Sequence, residues 1–411
     1  MLTEAQKEQV KATVPVLREN GVALTKYFYQ RMLSNNPGLK ETFNMGHQRS
    51  GAQAKALAGS VLAYAENIDD PSVLAPVVEL ICNKHVSLNI QAPDYDIVGE
   101  NLLHSISEVL QISMNEPLIS AWGAAYKQLA DLFITTEKAM YERKAEIAGG
   151  WLGWRNFIVD RKVVESDEIT SFYLVPEDKK PLPAYLAGQY VTVRVTVPEL
   201  GIKQPRQYSL SDRPSGEYLR ISVKREDASA AGQDPGYVSS TLHQAIKEGD
   251  VVELTSPTGN FFLADPNATN VLISAGVGLT PMVAMLNQLT AENGEPPAAQ
   301  RNPVYFIHAV RNSAVQAMRK ELRQIAADNP RVRLYFAYEH VSQGDIRGKD
   351  YHQEGRLDLS KAPAEYLPAD ADYYLCGPIP FMQLQKAALL TRGVPEARIH
   401  SEAFGTGGVP A

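Results

Sequence analysis

The stretch "GGWLGWRNFIVDRKVV" (149–164) marks the point at which the pattern of apolar residues changes. Before its two glycines, apolar residues recur at intervals of three and four, as on the buried face of an α-helix. After them, short runs rich in β-branched and aromatic residues lie between turn signals, as β-strands do. The chain therefore divides into a helical part and a part that contains β-sheet.

The part before this stretch has a helical pattern from residue 3 to about 147. Proline and capping residues separate its periodic segments at "NNPG" (35–38), "DDPS" (69–72), "QAPD" (91–94) and "NEP" (115–117). The residues that share apolar helix faces are Leu24, Phe28 and Met32; Leu57, Val61 and Tyr64; Val98, Leu102, Ile106, Val109 and Leu110; and Trp122, Ala125, Leu129, Leu132 and Phe133. We predict an all-α domain over residues 1–147.

The part after this stretch contains two kinds of sheet. The segments "NFIVDRKVV", "SFYLV", "YVTVRVTV" and "YLRISVKRE" predict an antiparallel β-barrel domain over residues 152–265. From about residue 267, apolar strands alternate with helix-length stretches such as 313–327 and 380–392, which is typical of βαβ units. We therefore predict a multidomain chain whose last domain, residues 266–411, is an α/β domain with a parallel sheet. A chain of 411 residues is long enough for three cores.

Composition excludes several classes of protein. The formal net charge of −7, without a basic stripe, argues against a nucleic-acid partner. Two distant cysteines, Cys82 and Cys376, argue against a disulfide framework or a zinc or iron–sulfur site. The start "MLTEAQKEQV" does not resemble a signal peptide, and no apolar run is long enough for a membrane span. We expect a monomeric, cytoplasmic protein with no nucleic-acid partner and no membrane span.

Two motifs in the second and third domains suggest nucleotide binding. In "VLISAGVGLTP" (271–281), Gly276 and Gly278 lie between a strand and a helix, where backbone N–H groups can meet a phosphate. The third glycine of the dinucleotide fingerprint is missing, so a plain tight turn remains the alternative. In "PRQYSLS" (205–211), an arginine, a tyrosine and a serine offer a charge, an aromatic face and a hydroxyl. The alternative there is an exposed strand with a paired arginine.

These motifs occur in a recognisable order with "GQY" (188–190), "GYVSSTLH" (236–243), "YYLCGP" (373–378) and "EAFG" (402–405). Over about residues 152–411 the chain resembles the ferredoxin-NADP reductase family. The resemblance implies that FAD is held by Tyr190, Arg206, Gln207, Tyr208, Ser209, Val238, Ser239, Ala403, Phe404, Gly405 and Thr406. It implies that NAD(P)H is held by Gly276, Val277, Gly278, Leu279, Thr280, Pro281, Cys376, Gly377 and Pro378.

A helical domain before such a reductase is similar to the globin half of the flavohaemoglobins, and the domain order matches that family end to end. The resemblance implies that His85, in "ELICNKHVSLNI" (79–90), is the proximal iron ligand of one haem b, oriented by Tyr95 and Glu137. It places Tyr29 and Gln53 on the distal side. Judged singly, His85 and Tyr29 would be packed side chains and Glu137 a solvated charge.

The resemblance also implies residues around the haem and between the cofactors. Phe43 and Leu57 are expected to line the haem. Lys84 by itself reads as a solvent-facing lysine, but its counterpart in the family lies between haem and flavin and pairs with the glutamate matched by Glu402.

The activity implied by the family is that of an NAD(P)H-dependent nitric oxide dioxygenase. Electrons would pass from NAD(P)H through FAD to haem, where O2 and NO are converted to nitrate, which detoxifies NO. A peroxide or ferric reductase and a haem-based gas sensor are alternatives, although the chain carries no kinase, cyclase or DNA-binding signature. Arg311, after the second α/β strand, could meet a 2′-phosphate, but no second cation joins it, so NADH is slightly favoured.

Overall fold

The structure is a computed structural model that describes residues 2–227, 235–291 and 302–405. Its first part is helical, as predicted, and prolines begin several elements because proline lacks the N–H that the first helical turn leaves unbonded. The helices are α1 (Glu4–Lys11), α2 (Val14–Asn35), α3 (Met45–Ser50), α4 (Ala52–Glu66), α5 (Ala75–Ser87), α6 (Ala92–Leu110) and α7 (Pro117–Glu146). Short 3-10 segments at Pro37–Glu41 and Pro71–Leu74 interrupt them.

The helices pack around a core formed largely by the predicted faces. Phe28 and Met32 of α2 are fully buried beside Trp122 of α7 and Leu102 of α6. The prediction was wrong for Leu132 of α7 and for Val109 and Leu110 at the end of α6, whose side chains are exposed to solvent. Burial of the remaining apolar stripe is what stabilises this layer of helices.

The second part is an antiparallel sheet that curls into the predicted barrel. Its elements are β1 (Arg155–Val164), β2 (Ile169–Pro176), β3 (Tyr190–Val197), β4 (Ile202–Ser209), β5 (Leu219–Lys224), α8 (Tyr237–Gln244) and β6 (Val251–Leu254). The strand order is β4-β3-β6-β1-β2-β5. A bridge between Leu210 and Ile221 joins the two edge strands, and the N–H of Ser211 donates to the carbonyl of Arg220 at 2.8 Å. The barrel closes directly after the "RQYS" segment.

The third part is the predicted parallel sheet with helices. Its elements are β7 (Asn270–Ala275), α9 (Leu279–Thr290), β8 (Val304–Val310), α10 (Arg319–Asp328), β9 (Val332–Tyr338), β10 (Gln353–Glu354), β11 (Asp372–Cys376), α11 (Ile379–Thr391) and β12 (Ile399–Glu402). The strand order is β10-β9-β8-β7-β11-β12. The prediction of one helix over 313–327 was wrong, because the backbone of Met318 is left-handed, with a φ of 53°, and α10 begins only after this residue.

The three parts contact one another. Ile169, Ala187 and Phe261 of the barrel pack into the apolar cluster around α9. On the other side, the Thr255 hydroxyl donates to the carbonyl of Ser87 in α5 at 2.8 Å. Among the described residues, no helix is both long enough and apolar enough to cross a bilayer. The fold class predicted from the sequence is confirmed.

Candidate active site

His85 lies near the end of α5, where two side chains from other helices meet its ring. Nδ1 of His85 is 2.8 Å from Oε1 of Glu137 in α7 and 2.9 Å from the hydroxyl oxygen of Tyr95 in α6. Tyr95 donates a hydrogen bond to the same carboxylate oxygen at 2.6 Å. A carboxylate that accepts from Nδ1–H fixes the tautomer and leaves Nε2 with its lone pair available for a metal.

The backbone of α6 explains how Tyr95 reaches this position. A capping box between Gln91 and Asp94 begins the helix at Ala92, three residues before Tyr95. The Tyr126 hydroxyl donates to the carbonyl of Tyr95 at 2.5 Å. Its ring fits because residue 99 is glycine, where a Cβ would lie 2.5 Å from the Tyr126 ring. Tyr95 is therefore fixed at its backbone carbonyl by Tyr126 and at its hydroxyl by Glu137.

The ionisation of the neighbouring groups follows from their burial. Burial and the hydrogen bond to Glu137 raise the pKa of the Tyr95 phenol, so it stays a donor at neutral pH. Burial, followed by the nearby Glu137 charge, raises the pKa of the Cys82 thiol to about 12. Sequence reasoning did not connect Cys82 with this carboxylate.

The predicted distal side chains also lie together. The ring of Tyr29 in α2 meets the ring of Phe43 edge-on, with centroids 5.6 Å apart. Gln53 lies at the start of α4, and its side-chain oxygen accepts a hydrogen bond from Gln48 at 2.9 Å. Burial raises the pKa of Tyr29, and a hydrogen bond with Gln53 offsets this in part, so the phenol is protonated at neutral pH. Leu57 follows on the same helix and packs against this core.

The residues fit a haem group. The side chain of His85 is 32% exposed, whereas the Glu137 carboxylate that holds it is 3% exposed. The bonded edge of the imidazole is thus inside the helical core, and Nε2 takes part in no hydrogen bond among the described residues. When bound, haem would be held through Nε2 of His85 and would supply an iron that can take a diatomic ligand.

Arg206 of β4 fits the phosphates of a flavin nucleotide. Its Nη1 donates to the carbonyl of Pro205 at 2.6 Å, and burial lowers the pKa of the guanidinium to about 10. A Cβ added to Gly46 would lie 3.6 Å from Nη2 of Arg206 and 4.0 Å from the ring of Tyr237, where α8 begins. Arg206 is half-buried, and a half-buried cation beside a helix amino terminus is a site for an anion.

The other predicted flavin residues surround this arginine. Tyr190 stands opposite Ser209 across β3 and β4, and its buried hydroxyl has no hydrogen-bond partner among the described residues. The Gln207 side chain donates to the hydroxyl of Ser87 at 3.3 Å. Val238 and Ser239 are buried in the first turn of α8, and burial raises the pKa of Tyr208. The Tyr190 hydroxyl and the Arg206 cation, which has no ion-pair partner in the part of the chain that the structure describes, fit a bound polar cofactor.

The predicted nucleotide residues meet at the carboxyl ends of β7 and β11. A Cβ at Gly278 would lie 2.3 Å from the carbonyl oxygen of Cys376 and 2.8 Å from the N–H nitrogen of Gly377. The turn 276–281 therefore abuts residues 376–378. Strand order reverses between β7 and β11, which is where open α/β sheets bind ligands. Gly276 has a φ of 54° and open space around its Cα, as a closely approaching nucleotide would require.

The C-terminal segment joins the haem side to the flavin side. The Nζ of Lys84 donates to the carbonyl of Gly405 at 3.0 Å, so Lys84 is half-buried rather than solvent-facing. Burial raises the pKa of Glu402 to about 7, and the charge of Lys84 lowers it in part. Ala403 is half-buried and Phe404 is 43% exposed. Thr406, a predicted flavin residue, lies outside the described residues.

Comparisons with known proteins agree with this arrangement. Residues 26–133 match the family model described as Globin, residues 156–263 the Oxidoreductase FAD-binding domain, and residues 272–387 the Oxidoreductase NAD-binding domain. The Flavohemoprotein of Bordetella parapertussis is 55% identical over 100% of both chains. The chain belongs to the flavohemoprotein family.

Two solved structures extend the comparison. The flavohemoglobin from Malassezia yamatoensis, with bound FAD and haem, has a TM-score of 0.82 at 28% identity and covers 98% of this chain and 100% of its own. The FAD/NAD-binding domain of the nitric oxide dioxygenase from Vibrio cholerae has a TM-score of 0.54 at 38% identity and covers 61% of this chain and 98% of its own. The chain is thus an oxidoreductase with haem, FAD and NAD modules, and the expected family and cofactors are confirmed.

In this member of the family, sequence reasoning missed the residues that join the globin and flavin modules. The N–H of Gly259 donates to Oδ1 of Asn83 at 3.2 Å, and Asn83 lies two positions before His85. Ser87, two positions after His85, receives hydrogen bonds from Gln207 and Thr255. Thr255 and Ser87 are 168 residues apart in the chain, so no local pattern could have paired them.

Proposed function

We propose that the chain is an NAD(P)H-dependent nitric oxide dioxygenase that converts NO and O2 to nitrate and so removes NO. The observation that carries the proposal is the buried Glu137 carboxylate, 2.8 Å from Nδ1 of His85. The name of the related Vibrio cholerae protein supports it. When bound, haem supplies the iron at which O2 and NO react.

The proximal residues make His85 a strong electron donor. Oε1 of Glu137 lies in the buried core, where a charge-assisted hydrogen bond is stronger than in water. It draws on the Nδ1 proton and gives the imidazole anionic character, which increases electron donation through Nε2. Tyr95 fixes the carboxylate by donating to the same oxygen. A globin that only stores oxygen has no need of this carboxylate.

The distal residues provide a donor for developing negative charge. Because burial keeps the Tyr29 phenol protonated, its hydroxyl can donate a hydrogen bond to a reacting oxygen atom. Gln53 supports that hydroxyl, and Phe43 packs against the ring. Donors that are already oriented in a site of low polarity stabilise charge without reorganisation.

The contacts between modules support electron supply within one chain. The nucleotide turn begins α9, which packs on barrel residues beside the flavin strands. The flavin strand β4 reaches α5 through Gln207 and Ser87, next to His85. A flavin accepts a hydride and releases single electrons, so this order of sites matches the order of the steps.

The test is NADH-driven consumption of NO under air, with nitrate counted against NADH. The balanced reaction uses one NADH with two NO and two O2 and forms two nitrates. For Tyr29→Phe we expect nitrate formation to fall about 100-fold, as when one preorganised donor is removed. Flavin reduction by NADH should be unchanged in this variant. Unchanged nitrate formation in Tyr29→Phe would remove Tyr29 from the mechanism.

The same electrons could serve a peroxide or ferric reductase, since the His85–Tyr95–Glu137 triad also suits O–O bond cleavage. NADH oxidation by peroxide or a ferric chelate at a rate above that with NO would favour this function. A gas sensor is distinguished by a spectrum taken without oxygen. NADH should bleach the flavin band and then shift the Soret band, whereas a sensor would keep its haem oxidised.

A further inference from the structure

The carboxyl end of β8 carries Arg311, a residue that bears on the choice between NADH and NADPH. In nucleotide-binding α/β sheets, the residue after the second strand meets the ribose 2′ position, where an acid suits NAD and an arginine suits the 2′-phosphate of NADP. Here β8 pairs with β7 up to Ala309 opposite Ala275, directly before the nucleotide turn. Arg311 follows β8, so it lies at this end of the nucleotide site.

Arg311 is engaged by a residue of another module. Its guanidinium forms an ion pair with the carboxylate of Glu168, in the turn between β1 and β2 of the barrel. Arg311 is 57% exposed and Glu168 is 24% exposed, so the carboxylate is the more enclosed partner. The cation that could attract a 2′-phosphate is therefore already balanced.

Backbone hydrogen bonds hold Glu168 in place. The N–H of Arg225 donates to the carbonyl of Glu168 at 2.8 Å. The N–H of Asp167 donates to the carbonyl of Ala314, three residues after Arg311, at 3.3 Å. The turn "ESDE" (165–168) is thus docked on the segment that follows β8, and the ion pair is built into the junction of the two modules.

The neighbouring arginines are also engaged. Arg225 pairs with Asp227 at 2.7 Å. Arg356 pairs at 2.8 Å with Glu339, at the end of β9. A 2′-phosphate, with a charge near −2, would have to take Arg311 from Glu168 and leave that carboxylate unpaired beside it. A ribose hydroxyl carries no charge and meets no such obstacle.

We propose that Glu168 is a specificity-determining residue, which holds Arg311 in an ion pair and makes the site select NADH over NADPH. The proposal rests on the NAD(P)H site of the proposed function but not on the reaction at haem. Failure at haem would therefore leave its test intact, because the test reads nucleotide binding and flavin reduction alone.

The experiment compares the purified holoprotein with Glu168→Gln, which removes the charge and keeps the shape. Rates of anaerobic flavin reduction by NADH and NADPH give a selectivity ratio, and calorimetry gives the affinities for 2′,5′-ADP and 5′-AMP. We expect the ratio to move about tenfold toward NADPH and 2′,5′-ADP to bind about tenfold more tightly, with 5′-AMP unchanged. The gain should shrink at high salt. Exposed ion pairs add little to stability, so the variant is expected to fold.

Two further variants make the assignment specific. Asp167→Asn removes a neighbouring charge of the same turn and should leave both measurements near the wild-type values. In Glu168→Gln with Arg311→Gln, the gain should be lost, because the freed cation is gone. An unchanged ratio in Glu168→Gln, an equal gain in Asp167→Asn, or a gain that persists in the double variant would each overturn the proposal.

Discussion

At the scale of single residues, one oxygen atom organises the proximal site. Oε1 of Glu137 accepts hydrogen bonds from both Nδ1 of His85 and the hydroxyl of Tyr95, at 2.8 and 2.6 Å. Both donors come from other helices, and none of the three side chains could be placed by its own helix alone. Because the carboxylate is buried, losing its charge changes the imidazole more than losing an exposed charge would.

Glu137→Gln should weaken electron donation by His85 while keeping its shape. The amide oxygen still accepts from Nδ1, but the negative charge is gone, so we expect a lower iron–histidine stretching frequency and a higher haem reduction potential. Nitrate formation should fall about tenfold. Resonance Raman spectroscopy and spectroelectrochemistry measure these changes. Glu142→Gln, at an exposed position of the same helix, is the control; a frequency equal to wild type in Glu137→Gln would contradict this role.

At the scale of elements, long periodic segments were predictable and short paired ones were not. The apolar face of α2 and the strands β1, β2, β3 and β5 follow from spacing alone, whereas β4 was recognised only through the "PRQYSLS" motif. The strands β6, β10 and β12 were missed, because segments of four residues or fewer become strands only through a partner. Likewise, the left-handed backbone at Met318 breaks a segment whose composition favours a continuous helix.

The residues of the candidate site also divide into those that the sequence predicts and those that it does not. Motifs made of adjacent residues, such as "RQYS" (206–209) and "GVGLTP" (276–281), could be found in the sequence because the chemistry lies within one turn or strand. The roles proposed for His85 and Glu137 required the resemblance to a family, since these residues are 52 positions apart. Contacts between modules, such as Glu168 with Arg311, could not be found, because the relative placement of two domains has no local signal.

Gly278→Ala should separate the nucleotide turn from β11. An ideal Cβ would lie 2.3 Å from the Cys376 carbonyl oxygen, and neither backbone can yield without moving a strand end. We expect flavin reduction by NADH to slow at least about tenfold, because the nicotinamide loses its position against the flavin. Gly59→Ala is the matched control and should behave as wild type, because Gly59 is an exposed helical residue and an added Cβ would meet no atom within 4 Å. Stopped-flow absorbance measures the rates; normal reduction in Gly278→Ala would contradict the close approach.

At the scale of the whole molecule, a polar network at the junction links the barrel to the parallel-sheet domain. Arg220 of β5 forms two hydrogen bonds of 2.9 Å with Glu321 of α10. Asn287 of α9 donates to Glu321 at 2.9 Å and to Asp212, just after the barrel-closing segment, at 2.8 Å. The helix that starts at the nucleotide turn is thereby tied to the strand that follows the flavin motif. We expect hydride transfer to depend on this relation, since a misplacement of about 1 Å can cost about 100-fold in rate.

Glu321→Gln tests whether this network positions the nicotinamide or only stabilises the fold. The amide keeps one acceptor but loses the charge that pairs with the buried Arg220, which is left with only the longer 3.8 Å ion pair to Asp212. We therefore expect the free energy of unfolding to fall by about 2 kcal/mol. A positioning role adds a second effect. Hydride transfer from NADH to flavin should slow about tenfold in stopped-flow experiments well below the unfolding temperature. Electron transfer from photoreduced flavin to haem should keep its rate, because the contacts of Ser87 with Gln207 and Thr255 do not involve Glu321. Asp328→Asn, at the exposed end of α10, controls for a change of charge on this helix.

If Glu321→Gln lost stability but reduced its flavin at the wild-type rate, the network would only stabilise the fold. The placement of the nicotinamide would then have to come from the apolar contacts of Ile169, Ala187 and Phe261.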